Sequence, residues 1–266
     1  PECEGAGILD VEGMAFDIHD FDGPFFQHWG VRRLDALLRE PGRKVLPAKG
    51  VRLGPPVARP GKILCVGANY ADHASECDVN IPEQPIFFCK AATSVVGPYD
   101  PVLLPPGEAV VDVEAELAVV IGRTGRGIPA EQAAEYIAGY TVVDDVSDRV
   151  AQRREGQWFR AKSYDSFCPM GPFLVTPDEV PAPGGLRVWS ARNGKVLQEG
   201  NTGDMLFDIP SLIAFVSCTI TLEPGDVLST GTPAGIGSRH EPSEHLRAGD
   251  TVQVGVEGVG EHRNNV

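Results

Sequence analysis

Along most of the chain, apolar residues come in short runs or in strict alternation, punctuated by glycine, proline and charge. The clearest stretch is Val110-Val111-Asp112-Val113-Glu114-Ala115-Glu116-Leu117-Ala118-Val119-Val120-Ile121, stopped by Gly122. Its β-branched and apolar content predicts one continuous strand. Successive strand side chains point to opposite sides. Asp112, Glu114 and Glu116 therefore share one face, and Val113, Ala115, Leu117 and Val119 the other. Similar runs predict strands over 62–67, 85–90, 139–147, 187–192, 195–198 and 227–229. Asn193-Gly194 marks a tight hairpin between two of them, and the residues from 249 onward read as a closing hairpin. Helical spacing appears over 30–40, where Val31, Leu34, Leu37 and Leu38 recur, over 128–137, and over 208–217 with Asp208 as N-cap. The sum is a β-rich α+β chain.

The first part looks like a small unit of its own. Short strands are predicted over 7–10 and 13–17, ahead of the helix that Pro41-Gly42 ends. Leu53-Gly54-Pro55-Pro56-Val57-Ala58-Arg59-Pro60 is a proline-rich connector. It divides the chain into a small N-terminal α+β domain, 1–58, and a larger domain, 59–266. His19 and His28 read as surface or packing histidines.

Charge narrows the partners. A formal net charge of −14 lacks the basic footprint that nucleic acid or an anionic membrane requires. Hydrophobic content of 42% places the chain among folded globular proteins rather than disordered ones. No apolar run approaches the roughly 20 residues of a membrane helix, and the opening residues show no signal-peptide pattern. The six cysteines are scattered without a C-x-x-C pair, which reads as reduced thiols in a cytoplasm.

Candidate chemistry follows from the polar positions. Three carboxylates on one strand face repel each other unless a cation or several donors lie opposite. Oxygen donors of this kind suit a hard divalent ion. A solvated strand face is the competing reading. His73 and Glu76 fall one helical turn apart, so the carboxylate can orient the imidazole as a general base. Residues 77–85 have the polar, proline-containing composition of a loop or lid. The strand over 139–147 ends in Asp144 and Asp145, which point to opposite faces. Arg149 and Gln152 follow and suit an anionic substrate. Thr230 to Gly237 is a glycine-rich loop without the lysine of a phosphate loop, which argues against a nucleotide site.

These segments, taken in order, resemble the fumarylacetoacetate hydrolase family over residues 59–266. The resemblance rests on Gly67-Ala68-Asn69-Tyr70-Ala71-Asp72-His73, Val113-Glu114-Ala115-Glu116-Leu117, Asp145-Val146-Ser147, Ala161-Lys162-Ser163-Tyr164-Asp165, Gly200-Asn201-Thr202, and Leu222-Glu223-Pro224-Gly225-Asp226 through Gly231-Thr232-Pro233-Ala234-Gly235. The short first domain is similar to the bacterial subgroup labelled ureidoglycolate lyase or 2,4-diketo-3-deoxy-sugar-acid hydrolase. The resemblance implies a mixed β-sandwich roll around one divalent ion, magnesium with manganese or calcium as alternatives, in a homodimer. It implies Glu114, Glu116 and Asp145 as metal ligands. His73, Glu76 and Lys162 take the catalytic positions, and Gln152, Thr232 and Arg149 the substrate side. Two positions depart from the family pattern. Asp144 stands where relatives often have asparagine, adding negative charge beside a ligand. Asp148-Arg149-Val150 replaces the frequent Ala-Arg-Asp.

The implied reaction is hydrolysis of a C–C bond in an acylpyruvate or other 2,4-diketo acid, passing through an enolate. Two alternatives are lyase reactions: oxaloacetate decarboxylation, which forms the same enolate, and ureidoglycolate cleavage. A metal-dependent 2-keto-acid-binding protein without turnover is the reading from outside catalysis.

Overall fold

The computed structural model describes residues 7–9, 23–27, 30–39, 41–42, 45–47 and 52–266. At the start, β1 (Gly7–Leu9) pairs antiparallel with β2 (Val45–Pro47), and α1 (Gly23–Gln27) and α2 (Gly30–Leu38) lie between them in sequence. The strand expected over 13–17, His19 and His28 fall outside the described residues.

The rest is built on two sheets. After the connector come β3 (Ile63–Gly67), α3 (Ala71–Glu76), β4 (Ile86–Lys90) and the short β5 (Val95–Val96). The stretch expected as one long strand is two: β6 (Val111–Asp112) and β7 (Ala115–Ile121). The break has a cause in hydrogen bonding. Glu114 N–H donates to the Asp144 side chain, and Glu114 C=O accepts from Asp145 N–H, instead of continuing one ladder. Next are β8 (Ile137–Asp144), β9 (Ser147–Asp148), α4 (Arg149–Glu155), α5 (Trp158–Ala161) and β10 (Cys168–Pro169). The helix expected over 128–137 is a 3₁₀ segment, Ala130–Tyr136. The chain closes with β11 (Arg187–Arg192), β12 (Lys195–Asn201), α6 (Ile209–Ser217), β13 (Val227–Ser229), β14 (Thr251–Val256) and β15 (Gly260–Asn265). Asn193 and Gly194 both have positive φ (51° and 80°), as the tight hairpin between β11 and β12 demands. Asp208 caps α6 by accepting from Ser211 N–H.

One sheet runs β4-β3-β13-β7-β8 and the other β12-β11-β14-β15. Strand alternation sorts β7 between two apolar cores. Ala115, Leu117, Val119 and Ile121 face the four-stranded sheet and pack with Val188, Val252, Val254 and Val256. Ala118 and Val120 point the other way, into a second cluster with Ile63, Cys65, Val143, Cys168 and Val227. This second cluster is the inside of a roll. The five-stranded sheet curls, and the β5–β10 pair fills its gap: Met170 N–H donates to Val96 C=O, and Gly171 N–H to Val142 C=O. The fold is therefore a β-rich α+β sandwich-roll. Glu114 and Glu116 precede Ala118 and Val120 on the same face, so they stand at one mouth of the roll's interior. Among the described residues, no helix is long and apolar enough to cross a membrane.

Candidate metal centre and its cavity

Three carboxylates converge where β7 and β8 meet. Glu114, Glu116 and Asp145 each offer an oxygen within 4.8 Å of the others, and all three are buried. Glu114 and Glu116 arrive by strand alternation, and Asp145 by directly following β8. Asp112 is also buried but serves elsewhere. Its Oδ2 accepts from Arg149 Nε at 3.0 Å and from Ser238 N–H at 3.0 Å. The three-residue face read from the sequence thus resolves into two site carboxylates and one supporting one.

Donors surround the trio unevenly. Lys162, wholly buried, donates to Glu114 Oε2 (2.9 Å), Asp145 Oδ2 (2.6 Å) and Ser147 Oγ (2.7 Å). Lys90 Nζ donates to Asp145 Oδ1 at 2.6 Å. Arg149 Nη2 lies 2.5 Å from Glu114 Oε1. Among the described residues, Glu116 receives only the Ser229 hydroxyl and Gly231 N–H. Gly231 has φ +98°, and a Cβ there would meet Asn69 at 2.8 Å, so only glycine presents that amide.

The electrostatics follow this distribution. Glu114 is buried, yet the Lys162 and Arg149 charges hold its carboxyl well below the usual range. For Glu116, burial and the charges of Asp145 and Glu114 push the pKa up to about 8. One carboxylate of three therefore lacks a counter-charge. An all-oxygen donor set short of positive charge fits a hard divalent cation, with Glu114, Glu116 and Asp145 as the residues to hold it. Asp144 was expected to add negative charge. Burial instead raises it to about 8, so it is largely the neutral acid at pH 7. Its Oδ1 accepts from Glu114 N–H at 3.0 Å.

A cavity of about 510 Å³ opens beside the trio. Val66, Val79, Ile86, Phe88, Trp158 and Ile236 give it apolar walls, and Glu114, Arg149 and Lys162 polar ones. Trp158 packs edge-on against Phe88 and over Gly67, where any Cβ would stand 2.6 Å from the indole. His73 lies on the wall, on α3. Its Nδ1 is 3.3 Å from Glu76 Oε2, and Glu76 Oε1 accepts from Gly235 N–H at 2.9 Å, which fixes the carboxylate. Burial lowers the His73 pKa, but hydrogen bonds to Cys77 and Glu76 and the charge of Glu114 outweigh it and raise it to about 9. Once the Glu114 charge is neutralised, that upward pull weakens and the imidazole is freer to accept a proton.

The substrate-side positions are all on this cavity, with different degrees of freedom. Asp148 caps α4 by accepting from Val150 and Ala151 N–H, and this sets Arg149 and Gln152 on one face, three residues apart. Arg149 is committed to Asp112 and Glu114 and donates to Gln152 Oε1 at 3.0 Å. Thr232 donates to Ala115 C=O at 2.9 Å and accepts from Gln198 Nε2 at 2.7 Å. Gln198 also accepts from Ala115 N–H and so pins the glycine-rich loop to β7. Sequence reading passed over Lys90, Ser147, Ser229 and Gln198. Only Lys90 carries a visible signal, a lone charge ending an apolar strand.

Residues 62–266 match the family described as Fumarylacetoacetate (FAA) hydrolase C-terminal, and the chain belongs to that family. Human mitochondrial oxaloacetate tautomerase FAHD2A is 50% identical over 224 residues, 84% of this chain and 71% of that protein. Among solved structures, maleylpyruvate hydrolase from Sphingobium sp. SYK-6, in complex with manganese(II) and pyruvate, is 34% identical with a TM-score of 0.77, covering 91% of this chain and 84% of that one. The 2-hydroxyhepta-2,4-diene-1,7-dioate isomerase from Mycobacterium marinum is 39% identical with a TM-score of 0.74, covering 84% and 80%. The family's enzymes thus include hydrolases, isomerases and a tautomerase.

Proposed function

We propose that the chain is a divalent-metal-dependent enzyme of 2-oxo acids that hydrolyses a C–C bond in acylpyruvates, with magnesium or manganese on Glu114, Glu116 and Asp145. The observation that carries this reading is the His73–Glu76 pair on the wall of the same cavity as the buried trio. When bound, the ion supplies Lewis-acid stabilisation of charge developing on the 2-oxo acid oxygens. The chain's own residues do the rest. Glu76, held by Gly235 N–H, keeps the His73 ring aimed so that it can take a proton from water. Lys162 and Arg149 hold Glu114 ionised and in place. Gln152 offers its amide to the substrate carboxylate, while the apolar walls exclude bulk water from the enolate. We assign catalysis to residues 59–266, with 1–58 as a smaller unit, in a homodimer.

A second reading is favoured by the 50% identity to an oxaloacetate tautomerase. Proton transfer between carbon and oxygen of the same 2-oxo acid needs the enolate and a proton shuttle but no attacking water. One panel separates the two. Acylpyruvates, oxaloacetate and ureidoglycolate are offered to the protein with magnesium, with manganese and with chelator. Pyruvate released from an acylpyruvate supports hydrolysis. Accelerated enol–keto exchange of oxaloacetate, without pyruvate from any acylpyruvate, replaces it with tautomerisation. Tight 2-oxo acid binding without product removes both.

A further inference from the structure

A second cluster of ligating atoms lies on the cavity wall, outside the carboxylate trio. His73, Glu76 and Cys77 occupy positions i, i+3 and i+4 at the end of α3, the spacing that puts side chains on one helix face. Each offers one ligand atom within 4.8 Å of the others. His73 Nδ1 is 3.3 Å from Glu76 Oε2, and Cys77 Sγ is 3.9 Å from Nδ1 and 3.8 Å from Nε2. Tetrahedral zinc, with bonds of about 2.3 Å to sulfur and about 2.0–2.2 Å to nitrogen and oxygen, has an N···S edge of about 3.6 Å and an N···O edge of about 3.3 Å. The N···O and N···S separations are within a few tenths of an ångström of that geometry before any adjustment.

We propose that His73, Glu76 and Cys77 form a binding site for a borderline-soft divalent ion of the zinc type. Donor chemistry separates it from the neighbouring centre. Imidazole, thiolate and one carboxylate favour zinc, whereas an all-carboxylate trio favours harder ions. The site is partly made in advance, because Gly235 N–H holds the other Glu76 oxygen at 2.9 Å. It is also reachable, since His73 and Cys77 both line the cavity, which leaves the fourth coordination position for water or substrate. As the ion binds, the Cys77 thiol and the His73 imidazolium each release a proton to solvent, and the freed thiolate and ring lone pair go to the metal. Binding there takes over the Nδ1–Glu76 contact that aims the ring as a base, so zinc would act as a brake on turnover. The brake rests on the reading of His73 as base; the metal site does not.

Cobalt(II) serves as the probe, added to protein whose trio is kept filled with excess magnesium. The expected result is a near-ultraviolet thiolate-to-cobalt charge-transfer band that zinc displaces. The band should vanish in Cys77→Ser and in Cys77→Ala and persist in Glu116→Gln. No band in the wild type, or a band that survives both Cys77 substitutions, overturns the proposal. In a parallel arm, zinc should slow turnover of whichever 2-oxo acid the magnesium-loaded protein processes. Zinc sensitivity should fall by about tenfold or more in Cys77→Ser, as removal of a ligand costs at least what loss of a supporting contact does. A Cys77-dependent band without zinc inhibition leaves the site standing and counts against His73 as the base.

Discussion

Lys90 Nζ lies 2.6 Å from Asp145 Oδ1, and both side chains are wholly buried. Removing Lys90 takes one of the two ammonium partners from buried Asp145 and leaves Lys162, at a cost of up to about 3 kcal/mol, the low end for breaking a buried pair. Lys90→Met should therefore lower unfolding free energy by that order in the metal-free protein. A divalent ion on Asp145 substitutes for the lost ammonium, so manganese should recover part of the loss. Urea denaturation with and without manganese reads both effects. Equal losses in the two conditions would show that Asp145 and the ion do not meet.

The trio should respond to metal as a unit. At a manganese concentration about a hundred times its dissociation constant, stability should rise by about 2.7 kcal/mol. In Glu116→Gln the response should shrink, while the metal-free protein should be as stable as the wild type or more so, because the environment already disfavours an ionised Glu116 and the neutral amide carries no charge to bury. A Glu116→Gln variant that is less stable without metal would contradict the charge shortage deduced for this residue.

Turnover and substrate choice should separate on the cavity wall. His73→Ala should lower kcat by about a hundred- to ten-thousand-fold, the range for losing a general base, without altering the manganese-dependent stabilisation. Arg239, at the rim, is 3.3 Å from exposed Asp78 and faces the cavity together with Arg153. Arg239→Ala should raise KM by about two- to fivefold for substrates with a distal carboxylate, the scale of an exposed ion pair, and leave monocarboxylates unaffected. Equal effects on both classes would dismiss Arg239 as a selector.

His262 gives a pH signature away from the site. It is buried on β15, its Nδ1 donates to Asn264 Oδ1 at 2.7 Å, and its Nε2 is buried without a partner among the described residues. Burial lowers its pKa to about 4, against the opposing pull of Asn264. The unfolded imidazole takes up a proton below about pH 6.5, but the folded one only below about pH 4. Its stabilising contribution is therefore complete above neutrality and is lost as pH falls through that window, by about 3 kcal/mol in all. His262→Asn retains a donor for Asn264 and should lose about that much less stability between pH 7 and pH 4. Parallel stability curves for the two proteins would refute this.

Much of the site was legible because strand alternation is rigid. Glu114, immediately before β7, and Glu116, within it, are two residues apart and so fall on one face, and the acidic end of β8 brings Asp145 beside them. The same rule does not by itself set Asp112 apart from the two ligands, which the family resemblance does by leaving it a neighbour. A two-residue repeat assumes an unbroken ladder, and Glu114 breaks it by exchanging hydrogen bonds with Asp144 and Asp145. Asp144 was misread: its ionisation depends on burial, which linear order does not reveal. The helix over 208–217 and the Asn193-Gly194 hairpin were readable because their signals are local. Lys90 and Gln198 were not, because each meets its partner only after distant strands come together.

Lys90 ends β4 and Asp145 follows β8, the two opposite borders of the five-stranded sheet. The ion pair beside the centre therefore straddles a seam. A chain folded halfway, with its sheet still open, would own every ligand and yet assemble no pocket around them. The Lys90–Asp145 pair should act as a clasp across that seam, so that closing of the roll and completion of the donors around Asp145 are one event seen from two sides.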